Sequence, residues 1–487
     1  MQLSVPQRGV ADSGSFPVEP VEVERWLAAL RPLASEGDAR EVHRGLKHSN
    51  RLHNEPGRRR AVLDRFLPVL GELREQLFDL TRAQPLPLAR EFSRSATLVE
   101  ALLREEAIAF KILIADSQTP DPGDARRAMR ALARQAEVAV HGYRRVPATL
   151  LEDAHGLYAL VEADGLDEAV SEVPSFLDHY RFVLLLAIID TSQVHAAQLP
   201  PALDLLRETA RTVELRRPTR DAPTGRRYLG VDLARGTVPE PLACLLVENP
   251  AMLRVFDIDT PLAHLESRIA RTRPTRESAP GAPEPGAPTL ERQTLTRLRS
   301  ALAGEHARRT ARTIEGLLQP VVFGHREITA HLLLDPADRE DTMRWTLVNR
   351  SAQGLCLHHP NCPAGTVQVG ELVAVDGSPE RHESTLLGTV RWVHAKGDTG
   401  VTLGIEYLAR GVLPVTLVRA DSDSPVTENA LIIACKVQSA TVQTILLPAG
   451  LYDVGEQLVA SRGDRSRRLG LKTSLQSNGL FGHFLIE

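Results

Sequence analysis

The residues best suited to chemistry in this chain lie between positions 308 and 354. They form an R-x-x-x-R pair followed by an N-x-S-x-x-G motif, and they are Arg308, Arg309, Arg312, Asn349, Ser351 and Gly354. Guanidinium forks match phosphate oxygens and the O6/N7 edge of guanine, while Asn and Ser add short groups that contact a base or a phosphate. Glycine allows either a positive-φ turn or a close approach that a Cβ would block. The set therefore favours a phosphorylated guanine ligand.

The arginine pair also has a structural interpretation. Lysine occurs only at positions 47, 111, 396, 436 and 472, so arginine carries nearly all of the basic charge and an R-x-x-x-R pair arises easily by chance. In this interpretation Arg308, Arg309 and Arg312 form the polar face of a helix that begins at Leu290. The sequence leaves both interpretations open.

Short alternating segments rich in β-branched residues surround the motif. Six of them predict the strands of a small antiparallel barrel, at 343–349, 354–359, 370–376, 386–395, 400–408 and 412–420. Residues 319–341 lie between the arginines and these strands, and we interpret them as inserted structure. A further set of strand-like segments predicts a second compact β unit over about 425–487.

The first half of the chain has the three- and four-residue apolar spacing of amphipathic helices. A loose arm at 1–20 precedes an α-helical bundle or array at 21–210, with helices expected at 88–115, 122–142, 148–164, 167–187 and 200–210. Residues 211–271 predict a small α/β element. The Pro- and Gly-rich stretch at 272–290 predicts a linker, followed by a helix and the first barrel at 291–424.

The order of arginine pair, turn motif and strands resembles the PilZ domain, whose members are bacterial receptors for cyclic di-GMP. PilZ domains carry R-x-x-x-R on an N-terminal arm and D/N-x-S-x-x-G in a six-stranded barrel. Their late strands are similar to the segments at 388–393 and 403–408. The resemblance therefore implies a cyclic di-GMP site built from the arm and the turn.

Carried over position by position, the resemblance assigns a role to each residue of the set. It implies that Arg308 and Arg312 clamp the phosphates and guanines of cyclic di-GMP, with Arg309 nearby. The turn residues Asn349, Ser351 and Gly354 would complete the site. Asn349 stands where many members have Asp, a variant that the family tolerates.

These features predict an α+β multidomain protein with an α-helical N-terminal domain, a small α/β element, a six-stranded antiparallel PilZ-like β-barrel and a C-terminal β unit. By resemblance, we expect a receptor in which cyclic di-GMP orders the arm at 305–314 against the barrel turn. The helical domain would then act as the output and bind a protein partner, in motility, pilus or biofilm control. The alternative is a scaffold whose barrel keeps the fold, lacks the nucleotide and binds protein partners.

Composition narrows the function classes. A net charge of −4 argues against a globally basic nucleic-acid binder, and the longest apolar run, at 182–189, is too short for membrane insertion. Four cysteines in 487 residues and the lack of an apolar leader predict a reducing, cytosolic location. No catalytic motif stands in a suitable setting. We therefore expect neither an enzyme nor a cofactor, and the expected ligand is cyclic di-GMP.

Several histidine, acidic and basic residues outside the motif are expected to have structural roles. His155 is expected to pack on a helical stripe beside Tyr158, and Glu105 and Glu106 are expected to lie on a solvated helix face. A solvated surface is also expected for a basic cluster near the first helical break, which comprises His43, His48, His53, Arg58, Arg59 and Arg60.

The segment from Cys356 to Cys362 contains two thiols and two imidazoles, which are potential metal ligands. On a strand, Cys356 and His358 point to one face while His359 points to the other, so these side chains would not converge on one ion. We therefore expect no metal site there.

Overall fold

A computed structural model describes residues 3–9, 16–30, 36–82, 84–85, 87–164, 174–218, 227–272, 289–304, 313–334, 342–376, 385–395, 400–420, 427–437 and 440–487. The chain forms two compact units. One contains Met1–Thr191, Pro200–Glu266 and Ala301–Ala303, and the other contains Ser192–Leu199, Ser267–Ser300 and Gly304–Glu487.

The N-terminal part of the first unit is α-helical, as predicted. Its helices are α1 Pro20–Ala29, α2 Glu36–Asn50, α3 Pro56–Arg82, α4 Arg90–Asp116, α5 Pro122–His141, α6 Ala148–Asp164, α7 Phe176–Ile188 and α8 Leu199–Ala210. Asp121 caps α5 by accepting a hydrogen bond from the Gly123 amide at 2.8 Å, and Ser175 with Asp178 forms a capping box on α7. These caps supply partners for amides that a helix start leaves unpaired.

Helix α4 contacts α2, α3 and α5, and its apolar side chains Leu102, Phe110 and Ile112 are fully buried. Lys111 is buried on the same helix, where its ammonium group pairs with Asp153 of α6 at 2.6 Å. Pairing offsets the cost of removing such a charge from water. Among the described residues, no helix is long and apolar enough to cross a membrane.

The expectation that Glu105 and Glu106 lie on a solvated face is wrong, because both side chains are buried on α4. Glu105 accepts a hydrogen bond from Asn50 Nδ2 at 2.9 Å and pairs with Arg51 at 3.0 Å. Glu106 pairs with Arg74 of α3. Burial is possible because each carboxylate meets a donor from another helix.

The solvated-surface interpretation of the first basic cluster is also wrong for Arg59, which is buried at the start of α3. Its guanidinium donates to the carbonyl oxygens of Ser49 at 3.3 Å and Leu52 at 2.7 Å. Ser49 belongs to the last turn of α2 and Leu52 to the loop that follows it, a region where a helix leaves carbonyl acceptors for partners from outside the helix. Arg59 therefore links the end of one helix to the start of the next.

A small sheet follows the helices, in the order β1-β4-β2-β3. Its strands are β1 Leu215–Arg216, β2 Tyr228–Asp232, β3 Glu240–Pro241 and β4 Leu253–Asp257, and two helices follow, α9 Asp259–Arg271 and α10 Leu290–Leu302. The central strands are antiparallel, with Leu229 opposite Phe256. The buried ring of Phe256 lies in the core of this mixed α/β element.

The second unit contains two barrels. The first is closed by six described strands in the order β10-β7-β6-β5-β8-β9, with helix α11 His325–Leu333 after β5. The strands are β5 Thr313–Phe323, β6 Arg344–Arg350, β7 Gly354–His359, β8 Leu372–Val375, β9 Leu386–Ala395 and β10 Val401–Arg410. Trp345, Leu357, Val390 and Leu403 are fully buried in it. The expected six-stranded antiparallel barrel is confirmed.

The second barrel is closed in the order β11-β12-β13-β16-β15-β14. Its strands are β11 Val412–Arg419, β12 Glu428–Val437, β13 Ala440–Pro448, β14 Gln457–Arg462, β15 Arg465–Ser477 and β16 Phe481–Ile486. The two barrels share an apolar cluster that includes Ile328 of α11, Leu372, Leu446 and Phe481. Asn478 adds a hydrogen bond from its Nδ2 to the Gly370 carbonyl at 2.7 Å.

The assignment of the segment at 412–420 to the first barrel is wrong, as is the limit of that barrel at 424. Strand β11 pairs with β12 and β14 and belongs to the second barrel. The sixth strand of the first barrel is β5, part of which lies in the segment interpreted as an insertion at 319–341. Only Gly411, with φ +83°, separates β10 from β11, so the chain leaves one barrel and enters the next within one residue.

Candidate functional site

The N-x-S-x-x-G motif forms the turn between β6 and β7. The Ser351 amide donates to the Gly354 carbonyl at 2.8 Å, and the Ser351 hydroxyl donates to the same oxygen at 3.1 Å. The hydroxyl oxygen also accepts from the amides of Gln353 at 3.3 Å and Gly354 at 3.2 Å. Ser351 therefore closes the turn with its side chain, while Ala352 and Gln353 at the tip are exposed to solvent.

Gly354 is required by a close approach between neighbouring strands. A Cβ at this position would lie 2.0 Å from the carbonyl oxygen of Ile405 on β10. Gly354 is not among the glycines with positive φ, so the close approach is the correct one of the two expectations for this residue. The Tyr407 amide donates to the Gln353 carbonyl at 3.0 Å, which holds the turn against the same strand.

Asn349 lies at the end of β6, where the pairing on both sides is irregular. It is opposite Ile314 on β5 and Cys356 on β7. The register shifts between Ile314 and Leu317 on one side and between Leu347 and Asn349 on the other. Such bulges bend a strand and re-aim its side chains, and they are frequent beside binding sites. Asn349, Ser351 and Gly354 therefore come together at one irregular corner of the barrel.

Arg308, Arg309 and Arg312 lie outside the described residues. The flanking elements are described: α10 ends at Leu302, and β5 begins at Thr313, whose Cα is opposite that of Arg350. The described helix that begins at Leu290 ends at Leu302, so it does not include the arginine pair. Thr313 and Asn349 are far apart in the sequence, but β5 and β6 are antiparallel neighbours, so the start of β5 lies beside the motif.

Arg350 is a further candidate for the site that the sequence analysis did not include. It lies inside the motif between Asn349 and Ser351, is half-buried, and is opposite the first residue of β5. Its position within the sequence motif is the signal by which it could have been predicted. Close by, Glu406 is opposite Gly354 and pairs with Arg391 Nε of β9 at 3.2 Å. Arg350 and Arg391 therefore add cationic groups to this corner, and Glu406 partly balances them.

The segment after the motif gives no metal-ligand geometry. His358 Nδ1 lies 3.1 Å from the Thr402 hydroxyl, and His359 Nδ1 accepts from the Asn361 amide at 3.2 Å. Burial raises the pKa of the Cys362 thiol to about 12, so the side chain is a neutral thiol near pH 7. The described ranges contain no group of three or more His, Cys, Asp or Glu residues arranged to hold a metal ion.

His155 has the packing role expected of it. The ring is buried, its Nδ1 lies 2.9 Å from the Tyr180 hydroxyl, and its Nε2 lies 3.1 Å from the Thr237 carbonyl oxygen. A carbonyl only accepts, so Nε2 carries the proton and Nδ1 accepts from the tyrosine. Burial lowers the pKa of His155 to about 4, so the ring is neutral near pH 7.

Comparison with known proteins identifies the class. Residues 325–414 match a family described as the middle PilZ domain of the cyclic-di-GMP receptor FimW, and residues 21–220 match the family described as its N-terminal domain. The segment at 325–414 is therefore a PilZ domain, and this domain contains most of the first barrel. Strand β5 precedes the matched range although it closes the same barrel.

One characterised protein is similar over nearly the whole chain. It is the cyclic-di-GMP receptor FimW of Pseudomonas aeruginosa, which is 23% identical over 572 aligned positions that cover 99% of this chain and 93% of the relative. No solved structure matches the chain. Neither matched family is described as an enzyme.

Proposed function

We propose that this chain is a receptor for cyclic di-GMP that binds the nucleotide between an arm at 305–314 and the motif turn at 349–354. The observation that carries the proposal is the register of β5 on β6, with Thr313 opposite Arg350 and Ile314 opposite Asn349. Arg312 is covalently joined to Thr313, and consecutive Cα atoms lie about 3.8 Å apart. The chain that carries the arginines therefore enters the barrel beside the motif.

The length of the arm supports the same assignment. Arg308 precedes Thr313 by five residues, a span of at most about 18 Å in a fully extended chain. A guanidinium on this arm can therefore reach a ligand held at the turn. The proposed roles are phosphate and guanine contacts for Arg308, Arg309 and Arg312, with Asn349 and the turn closed by Ser351 and Gly354 on the barrel side. The names of the matched families and of the relative support cyclic di-GMP as the ligand.

In this proposal the protein acts without catalysis. Binding orders the arm against the barrel, and the helical domain passes the change to a protein partner in the cytoplasm. The proposed domain division is a helical domain at 21–210, a small α/β element at 211–271, a linker at 272–290 and the two barrels beyond it. Motility, pilus function and biofilm formation are the processes that such receptors commonly control.

Calorimetric titration with cyclic di-GMP tests the proposal. We expect micromolar or tighter binding by the wild-type chain, no comparable binding of GTP, and at least about a tenfold loss of affinity in Arg308→Ala/Arg312→Ala. The matched control is Arg465→Ala/Arg468→Ala, which removes two exposed arginines from β15 and should bind as the wild type does. No heat of binding and no thermal shift at saturating cyclic di-GMP would contradict the proposal of a receptor. The alternative, a scaffold that lacks the nucleotide, would then be supported, and a pull-down would identify its protein partners.

A further inference from the structure

A concave, strongly basic cleft of about 620 Å³ lies in the helical unit, between α5, α7 and α8 and beside the end of α3. Its volume falls in the range of small-molecule sites. Within the described residues, six arginines line it, and they are Arg82, Arg126, Arg130, Arg134, Arg207 and Arg211. Arg126, Arg130 and Arg134 repeat every four residues along α5, so they form a row on one face of that helix.

The floor of the cleft is apolar. Ala133 of α5, Phe182 of α7 and Leu203 of α8 line it and are buried. The Arg207 guanidinium carbon lies 5.0 Å from the centre of the Phe182 ring, a cation–π distance. A solvated basic face would not combine a concave apolar floor with a row of guanidinium groups. The cleft can therefore hold a ligand that has both an apolar ring and negative charge.

The acidic groups in and around the cleft partly neutralise its positive charge and orient its guanidinium groups. Glu137 is buried, and its two oxygens pair with Arg207 at 2.7 Å and Arg134 at 3.2 Å, which orients both guanidinium groups. Asp204 pairs with Arg207 at 2.5 Å, and Asp178 belongs to the capping box of α7. Among the described lining residues, six guanidinium groups stand against three carboxylates. Two carboxylates just outside the lining reduce this excess, because Asp79 pairs with Arg82 at 3.0 Å and Glu75 with Arg134 at 3.9 Å.

Two histidines in the cleft are consistent with a positive local potential. The pKa of His179 is lowered to about 4, mainly by burial and then by the charges of Arg130 and Arg126. The pKa of His141 is also lowered to about 4, again mainly by burial, with Arg82 among the groups that lower it further. Both rings are neutral near pH 7 and leave the net charge unchanged.

We propose that this cleft is a second binding site, for a multiply phosphorylated ligand of nucleotide size. Arginine forks bind phosphate oxygens in pairs, and guanidinium groups stack on aromatic rings. The α5 row would contact the phosphates, while the plane of the Arg207 guanidinium, which is backed by the buried Phe182 ring, would stack on the base. Because the site lies in the helical unit, its ligand acts on that unit through residues separate from the barrel motif.

A binding panel of ATP, GTP, cyclic di-GMP and pyrophosphate at low ionic strength tests this site. The variant is Arg130→Ala/Arg211→Ala, because both residues are exposed and the partners of Glu137 are kept. The control is Arg40→Ala/Arg44→Ala, which removes two exposed arginines from α2. We expect at least one nucleotide of the panel to bind, at least about a tenfold loss in the cleft variant and none in the control. Arg130 also lies close enough to the buried Glu106 to stabilise its charge, so thermal melting is measured first and affinities are compared at a temperature at which both variants are folded.

The outcomes separate this site from the barrel motif. Cyclic di-GMP binding that survives Arg308→Ala/Arg312→Ala and disappears in the cleft variant would assign cyclic di-GMP itself to the cleft. Nucleotide affinity that is equal in the wild type and the cleft variant would overturn the proposal. Binding of a polyglutamate peptide with no binding of any phosphorylated compound would also overturn it, since the cleft would then recognise an acidic protein partner.

Discussion

Replacing Gly354 with alanine tests the geometry of the motif turn. The added Cβ would lie 2.0 Å from the Ile405 carbonyl oxygen, and ordinary contact begins at about 3.4 Å, so β7 and β10 must separate at this point. Separation strains the ladder where Leu355 is opposite Ile405 and Gly354 is opposite Glu406. Overpacking costs about 1–3 kcal/mol, and each weakened backbone hydrogen bond about 1 kcal/mol. The expected loss in the free energy of unfolding is about 3 kcal/mol.

Urea unfolding measures this loss, with the fluorescence of Trp345, which is fully buried in the first barrel, as one reporter. The matched control is Gly316→Ala on β5 of the same barrel. Gly316 has φ +76°, and a Cβ at this position would have no atom within 4 Å. This change therefore costs only the strain of an alanine in the left-handed region, about 1–2 kcal/mol. If Gly354→Ala costs no more than Gly316→Ala, the close approach of β7 and β10 is not what requires the glycine.

Three further changes test other parts of the structure. Ser351→Ala removes the hydroxyl that closes the motif turn. Calorimetry should then show weaker cyclic di-GMP binding, and urea unfolding should show a free energy of unfolding lower by about 1 kcal/mol. Affinity equal to that of the wild type would count against the turn as part of the site. Burial and then the charge of Glu327 raise the pKa of Glu371 to about 7, from a model-compound value of 4.5. Because the pKa is higher in the folded chain, the free energy of unfolding falls by up to about 3 kcal/mol as pH rises between these two values. Glu371→Gln should remove this pH dependence. Parallel pH profiles of unfolding for the wild type and Glu371→Gln would contradict the prediction. Arg74→Ala leaves the Glu106 carboxylate buried without this ion pair and should lower the free energy of unfolding by about 3–5 kcal/mol. Adding Glu106→Gln in the same chain should largely restore stability in thermal melts. A double variant that is not rescued would show that the loss of the pair is not the cause.

The sequence predicted the barrel and its motif but missed the strand that closes it. The alternation of β5 is interrupted by a bulge after Ile314, by Gly316 and by Pro320. A bulge shifts the two-residue period, and proline is uncommon inside a strand, so the segment did not have the pattern of a strand. Only the pairing with β6 and β8 reveals its place.

Alternation also does not indicate which sheet a strand joins. The pattern of β11 is as regular as that of β10, and a single glycine, Gly411, separates the two. Tertiary pairing decides the assignment, and the partners of β11 come later in the chain, on β12 and β14. The burial of Glu106 was missed for a similar reason, because its partner Arg74 comes from another helix. The close approach at Gly354, by contrast, was one of two expectations that the residue type itself allowed.

Hydrogen exchange with and without cyclic di-GMP tests the central claim most directly, because it reports where the nucleotide binds. We expect slower amide exchange at 305–314 and 349–354 in the wild-type chain, and no slowing at either segment in Arg308→Ala/Arg312→Ala. Exchange that is unchanged at both segments while cyclic di-GMP is bound, or slowing confined to the helices around the basic cleft, would contradict a nucleotide site between the arginine arm and the turn of Asn349, Ser351 and Gly354.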